Sequence, residues 1–461
     1  MNKENKIRHS LVLVFVTILL LFLSSFIKIE YDLYGIYLHS VDLFSDIKSD
    51  EAEENINYNI PKAKIFKAGF HFDEKITKAI HFWNPDANNS NSPQGVKTPL
   101  IGNTKQLSYF FDALKKKRSV RIAHYGDSAI EGDLITSDIR EVLQDKFGGN
   151  GVGWMGIVSQ DIQFRMTTKH TFSDNWENAS LYTSNPKGLP LGISGEINIP
   201  KGNAWVKYET TRARRSLREF STVKLYYSNA KNSQIYYSFN GGAKQSATLK
   251  TGSSVQELTL TSQSKSKYVT IEFPIADQAY FYGVSLENES GLFIDNFPLR
   301  GNTGVDIGQL NPSMLKDFGK YFNYDLIILE FGLNIAGSVR TDYSWYEREM
   351  IKVINHLKQA FPRTSIVMIS VHDKAMKKGS NFITDPGILK LLETQKNIAK
   401  QADVALWSMF DAMGGENSMP QWVNANPPLA FKDYIHFNYL GAAKIAKLFV
   451  ESLLDQYNKY K

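Results

Sequence analysis

The sequence predicts an α/β protein: a doubly wound parallel sheet, interrupted by an inserted β-sandwich or jelly roll and preceded by a transmembrane helix. Three observations carry this. Apolar runs such as Asp325–Phe331 (DLIILEF) and Ser365–Val371 (SIVMISV) alternate with segments of helical period, as in a parallel sheet covered on both faces. Between residues 158 and 290 the pattern changes to five or more short alternating runs, separated by Asn-Gly-Gly, Thr-Gly and Ser-rich turns, which is the pattern of a sandwich. Leu11–Ile27 is apolar except for Ser and Thr.

From the N-terminus, Lys3, Lys6 and Arg8 precede that apolar run. As a helix it rises about 25 Å, enough to span a bilayer. The flanking positive charge predicts a cytoplasmic tip and an exported body, periplasmic or extracellular. An uncleaved signal anchor over residues 1–27 is the first reading and a cleaved signal peptide the second. Residues 28–104 are polar and poorly periodic, with a loop from Asn84 to Pro93, and read as a spacer.

Residues 105–157 are expected to begin the α/β part. Leu107, Phe110, Phe111 and Leu114 recur at helical spacing; Val120–Ala123 reads as a buried strand, and Leu134–Phe147 as a helix closed by Gly148-Gly149. Residues 158–290 are the insertion, with strands expected at Val223–Tyr227, Gln234–Phe239, Ser246–Leu249, Glu257–Leu260 and Tyr268–Phe273. Residues 291–461 resume the α/β pattern. Strands are expected at Leu292–Ile294, Asp325–Phe331, Ser365–Val371 and Val404–Trp407, and helices at Asp306–Phe318, Tyr343–Ala360, Ile388–Gln401 and Asn438–Asp455.

Composition narrows the function. There are 53 Lys and Arg against 47 Asp and Glu, a net charge of +6, but no basic stripe interleaved with aromatics, so nucleic acid is not an expected partner. A mild basic excess suits an anionic polymer such as a cell wall. With no cysteine and nine scattered histidines, neither disulfides nor a metal site is expected, and no cofactor is called for.

Acyl chemistry needs a nucleophile, a base, a group that orients the base, and donors for the oxyanion. In an open parallel sheet these gather at the carboxyl ends of the strands. The strand Val120–Tyr125 exits into Gly126-Asp127-Ser128, which places Ser128 ahead of a helix as a candidate nucleophile. Asp127 is not read as the triad acid, since adjacent side chains in such a turn diverge. The strand at Asp325–Phe331 exits into Gly332-Leu333-Asn334, where the Asn334 amide can donate to an oxyanion. Leu299-Arg300-Gly301-Asn302-Thr303-Gly304 follows the strand at Leu292, and a glycine there permits close backbone approach. Before the last helix stands Asp433-Tyr434-Ile435-His436; the i, i+3 spacing puts acid and imidazole on one face. A rival base is His372, followed by Asp373 at the end of Ser365–Val371. His124 is read as packed against the sheet.

In the chain order Ser, Gly, Asn, Asp-x-x-His, these blocks resemble the SGNH (GDSL) hydrolase family over about residues 105–155 and 291–457. The resemblance implies a three-layer fold, Ser128 as nucleophile, His436 as base held by Asp433, and Ser128, Gly304 and Asn334 as oxyanion donors. The block-two glycine can also be read as Gly301. The family usually carries an acid after the third-block Asn; here it is Ile335. An SGNH domain split by a sandwich behind a membrane anchor is similar to bacterial peptidoglycan O-acetylesterases. That likeness implies removal, or transfer, of O-acetyl groups on a cell-wall or extracellular polysaccharide. The alternatives are a polysaccharide O-acetyltransferase and a non-catalytic glycan-binding protein using Trp205, Tyr226, Tyr227, Tyr236 and Tyr237 as stacking platforms.

Overall fold

The computed structural model describes residues 31–33, 36–38, 93 and 95–460, apart from 117, 160–164, 184, 232, 276–278, 289 and 338–341. The apolar run at 11–27 and most of the expected spacer lie outside the described residues. Among those residues, no helix is long and apolar enough to cross a membrane. The chain divides into two units, Met1–Asn59 and Ile60–Lys461. The first contains an antiparallel hairpin of Tyr31–Leu33 (β1) and Ile36–Leu38 (β2).

The second unit opens with Leu100–Gly102 (β3), α1 (Ser108–Lys115) and β4 (Val120–Gly126). All seven residues of β4 are buried, as a central parallel strand requires. A 3-10 turn, Ser128–Asp133, and α2 (Thr136–Phe147) follow. The helix expected from Leu134 starts at Thr136, because Ile135 takes φ +59° and interrupts the helical path.

The next strands are β5 (Gly153–Met155), β6 (Thr168–Phe172), β7 (Trp176–Ser180), β8 (Glu196–Pro200), β9 (Ala204–Thr210), β10 (Phe220–Ser228), β11 (Gln234–Phe239), β12 (Gln245–Thr248), β13 (Gln256–Ser266), β14 (Tyr268–Ile275) and β15 (Tyr280–Glu287). They form two antiparallel sheets, β13-β10-β15-β8-β7 with β5 on β15, and β12-β11-β14-β9-β6. Val223, Leu225 and Val284 from the first share one apolar core with Val206, Ile271 and Phe273 from the second. Trp154, Tyr226 and Tyr282 join the core of the α/β part instead, against Phe318 and Phe322.

The chain continues through β16 (Leu292–Pro298), a 3-10 turn at Val305–Gln309, α3 (Pro312–Phe322), β17 (Leu326–Glu330), α4 (Ser344–Ala360), β18 (Ser365–Ile369), β19 (Ala375–Lys378), β20 (Asn381–Thr384), α5 (Pro386–Gln401), β21 (Ala405–Trp407), α6 (Met409–Met413), α7 (Ser418–Val423) and α8 (Tyr439–Tyr460). The single helix expected over Asp306–Phe318 is split. Pro312 cannot donate back into the preceding turn, and Asn311 caps a new start by accepting the Ser313 N–H.

The central sheet has the order β16-β4-β17-β18-β21-β3. The first five strands are parallel. β3, expected within the spacer, pairs antiparallel with β21 at the sheet edge. Alternate residues face opposite ways. Ile122, Ile328 and Val367 meet apolar residues of α1, α2 and α8, while Ala123, Leu329 and Met368 meet those of α3, α4 and α5. Taken in chain order the parallel strands read 2-1-3-4-5, whose switch point lies between β4 and β17. Ligands of open α/β sheets bind at the carboxyl ends of strands at that point.

Buried ion pairs tie β4 to its surroundings. Arg121 donates to Asp295 at 2.6 and 2.8 Å and to Glu287 on β15 at 2.6 Å. Burial pushes the Glu287 carboxyl up, but the charges of Arg121 and Lys224, with hydrogen bonds from Arg121 and Ser285, together outweigh it and bring it to about 2. Removing Arg121 would leave the buried Asp295 carboxylate without its ion-pair partner.

Candidate active site

Three adjacent strands deliver the site. Pro298 of β16, Gly126 of β4 and Glu330 of β17 lie side by side at the strand ends. The Leu299 N–H donates to the Gly126 carbonyl at 2.8 Å, and the Asp127 N–H to the Glu330 carbonyl at 3.2 Å. A Cβ at position 126 would fall 3.0 Å from the Glu330 carbonyl oxygen, so the turn is built for glycine. Asp127 then caps the 3-10 turn, its Oδ1 accepting the Ala129 N–H at 3.0 Å, and Ser128 begins it.

Some three hundred residues later, the loop before α8 brings an imidazole to this serine. Ser128 Oγ and His436 Nε2 are 3.1 Å apart. His436 Nδ1 lies 2.8 Å from Asp433 Oδ2, while Asp433 Oδ1 accepts the N–H groups of Ile435 and His436 at 2.9 and 3.0 Å. With Nδ1 donating to the acid, Nε2 is left to accept from the serine hydroxyl. Burial raises the Asp433 carboxyl, but the hydrogen bonds from the His436 ring and backbone and from Ile435 hold it below the usual carboxylate range. Asp433 therefore stays ionised, as a partner that orients an imidazole must.

His372, the rival base, supports the loop that carries His436. Its Nε2–H donates to the Ile435 carbonyl at 2.8 Å, and its ring lies 4.5 Å from that of Phe437. Burial drives its pKa down to about 4, so it is neutral at pH 7. Asp373 braces other segments, accepting from the Met419 N–H at 2.7 Å and the Thr384 hydroxyl at 2.8 Å. Further support comes from Ala375, whose N–H donates to the Tyr434 carbonyl at 3.0 Å, and from Phe382, whose ring stacks on Tyr434.

Gly304 and Asn334 are gathered by Asn302. The Gly304 N–H donates to Asn302 Oδ1 at 2.7 Å, and Asn334 Nδ2 donates to the Asn302 carbonyl at 2.9 Å. Gly304 has φ +90°, and a Cβ there would meet the Phe331 ring at 2.8 Å, so no other residue fits. Gly301 also has positive φ, but the space around it is open. Ile335, where an acid is usual in the resembled family, is buried in the core on the α3, α4 and α5 side.

Beneath the serine turn lies a buried polar chain that sequence reasoning missed. Asn296 Nδ2 donates to Thr136 Oγ1 at 2.7 Å. The Thr136 hydroxyl is thereby directed at His124 Nδ1, 2.9 Å away, and His124 Nε2–H at Glu330 Oε2, 3.0 Å away. The one signal available was Glu330 itself, an acid closing an otherwise apolar central strand. Burial, with the Glu330 carboxylate adding to it, pushes the Asp127 carboxyl up to about 7, against the opposing pull of the Ala129 N–H.

That shift has a sign. Between the ordinary carboxylate pKa and about 7, the folded protein keeps a proton on Asp127 that the unfolded chain releases, so this group costs stability as pH rises through that window. Asp127→Asn keeps the capping oxygen and cannot ionise. Relative to wild type, its melting temperature is expected to rise between pH 4 and pH 8, on the order of a few °C. Parallel thermal melts across that range check it, and a flat difference would contradict it.

Beside the turn runs a cleft lined by Glu131, Trp154, Arg165, Glu196, Asn296 and Arg300. Arg300 donates to Glu131 at 3.2 Å.

No sequence-family profile matches the chain, and no curated protein matches it. Among solved structures, a peptidoglycan O-acetylesterase superposes with a TM-score of 0.65 at 19% identity, covering 78% of this chain and 99% of that one. A family two carbohydrate esterase from Cellvibrio japonicus (10% identity, TM-score 0.26, 64% of this chain and 99% of that one) and the salicylyl-acyltransferase SsfX3 of a tetracycline biosynthetic pathway (13%, 0.28, 66% and 97%) are also similar. At those scores the last two add no weight. The first likeness establishes the fold.

Proposed function

We propose that this chain, which has the SGNH hydrolase fold, is a serine esterase that removes O-acetyl groups from a cell-wall or extracellular polysaccharide. One observation carries the chemistry: Ser128 Oγ, His436 and Asp433 form a continuous hydrogen-bonded line at the switch point of the sheet. The substrate class rests on the likeness in fold to the peptidoglycan O-acetylesterase, and on the order of the Ser, Gly, Asn and Asp-x-x-His blocks. We read residues 158–290 as a sandwich module inserted into the catalytic domain.

In this reading Ser128 Oγ attacks the acetyl carbonyl carbon while His436 Nε2 takes the hydroxyl proton. The carbonyl oxygen becomes an oxyanion, held by the Ser128 N–H, the Gly304 N–H and the Asn334 side chain. Asn334 is fixed by one amide N–H to Asn302 and has a second to offer. Gly304 must exchange the Asn302 Oδ1 for the oxyanion. The C–O bond to the sugar breaks, and the sugar oxygen takes the proton from His436. Water then attacks the acetyl-serine with His436 as base, and acetate leaves. A sugar hydroxyl in place of water turns the same cycle into acetyl transfer.

The assay is acetate release from O-acetylated peptidoglycan, with 4-nitrophenyl esters of acetate and octanoate alongside. Acetate release and a preference for the short ester are expected. Transfer of acetyl to added glycan without free acetate would make the chain a transferase. No release from any acetylated polymer would end the proposal.

The apolar run at 11–27 behind Lys3, Lys6 and Arg8 supports a signal anchor that holds the catalytic part outside the cytoplasm. Loss of membrane sedimentation on deleting residues 1–27 is expected; unchanged sedimentation would contradict the anchor.

A further inference from the structure

Of the five aromatic residues considered as sugar platforms, the structure removes three. Tyr226 and Tyr227 are buried, and Tyr237 packs on the core shared by the two antiparallel sheets. Trp205 and Tyr236 are different. They stand on the outer face of the five-stranded sheet, since their neighbours Val206 and Ile235 point into that core.

The register aligns them. Trp205 of β9 is opposite Glu272 of β14, and Glu272 is opposite Tyr236 of β11. One row across three strands therefore reads indole, carboxylate, phenol. The two rings are two strand spacings apart, about 10 Å. Trp205 is 37% exposed. Lys244 Nζ lies 2.8 Å from Glu272 Oε2 and 5.7 Å from the Tyr236 ring centre. These four side chains line a groove with Asn203 and Thr270.

We propose that this groove is a second glycan-binding site, separate from the serine, which holds a linear stretch of pyranose polymer. The apolar C–H face of a sugar ring stacks on an aromatic plane, and its edge hydroxyls need both donors and acceptors. The row supplies both, because Glu272 accepts and Lys244 donates between the two rings. Rings separated by one intervening strand suit alternate sugars of a linear chain. A protein partner fits poorly: apart from Tyr268, whose ring is covered by Lys207, and Pro274, the neighbouring residues Lys207, Glu209, Ser238 and Thr270 are polar, whereas stable protein interfaces bury an apolar centre. An edge-exposed Trp beside a rigid Tyr also provides large contact area at small entropy cost. The site would keep the polymer on the enzyme between turnovers, so its occupant rests on the proposed polysaccharide substrate.

The test uses the full chain carrying Ser128→Ala, so that bound polymer is not consumed. Co-sedimentation with insoluble peptidoglycan and affinity electrophoresis in hydroxyethyl cellulose measure binding. Adding Trp205→Ala is expected to weaken binding about tenfold, the scale of losing a central aromatic anchor. Adding Trp205→Phe should restore part of it. Glu272→Gln with Lys244→Ala, an exposed pair whose loss spares the fold, should weaken binding too. In otherwise wild-type protein, Trp205→Ala should leave 4-nitrophenyl acetate turnover unchanged and raise KM on acetylated polymer. Equal affinity with and without Trp205, or binding to neither polymer, would overturn the site. So would a Trp205→Ala effect confined to self-association, which would mark the groove as a protein contact. Binding that depends on Trp205 without acetate release would defeat the esterase reading and leave this one standing.

Discussion

Ser128→Ala is expected to lower acetate release by about a thousandfold or more, while leaving the fold intact. The hydroxyl is the only group lost, and its hydrogen bond is to His436. The turn that presents it is held by other atoms: the Asp127 cap, the Asp127 N–H on Glu330, and the Leu299 N–H on Gly126. The proposed oxyanion donors are untouched by the substitution, so a small rate above solvent hydrolysis should persist. Rates on 4-nitrophenyl acetate, measured beside thermal unfolding of both proteins, separate chemistry from stability. An unchanged rate would show that another group carries the acyl chemistry.

His436→Ala should cost roughly 10³–10⁴-fold, and His372→Ala less than about tenfold. The two histidines sit in one loop system yet face different partners. His436 Nε2 meets the serine and its Nδ1 meets an ionised acid. His372 donates to the Ile435 carbonyl and is held neutral by burial. Truncating His372 removes a buried hydrogen bond beneath the Asp433–His436 turn, so its expected signature is a lower melting temperature, by about 1–3 kcal/mol of stability, with modest loss of rate. Rates and melts of both variants decide between them. A dead His372→Ala that folds normally, beside an active His436→Ala, would reverse the assignment.

How far the sequence revealed this site depends on which residues carry their own signal. Asp325–Phe331 was readable as a central strand because both its faces are buried, which leaves a run of apolar letters ending in Glu330. Asp433 and His436 were readable because their partnership is local, three residues apart. Ser128 and Asn334 were readable because each follows the end of a buried strand. β3 was not, since three residues at a sheet edge are too few to show a period. The start of α2 was misplaced because nothing apolar or polar about Ile135 announces a left-handed backbone. Asn302 was also missed as the residue that engages both Gly304 and Asn334, because its side chain and carbonyl act across two loops. Thr136 and Asn296 were missed for the same reason, as were the polar partners of His124, which was read as packed against the sheet. Each is an ordinary polar residue until the sheet brings β4, α2 and β16 together. The aromatic row on the outer sheet needed the strand register to separate Trp205 and Tyr236 from the buried Tyr226 and Tyr227.

The most direct test of the central claim is covalent. A fluorophosphonate reacts with an activated serine, and peptide mass spectrometry locates the adduct. One label per chain, on Ser128, with acetate release lost in step with labelling and no label on His436→Ala at matched exposure, is the expected result. Acetate release that persists with Ser128 fully labelled would contradict it.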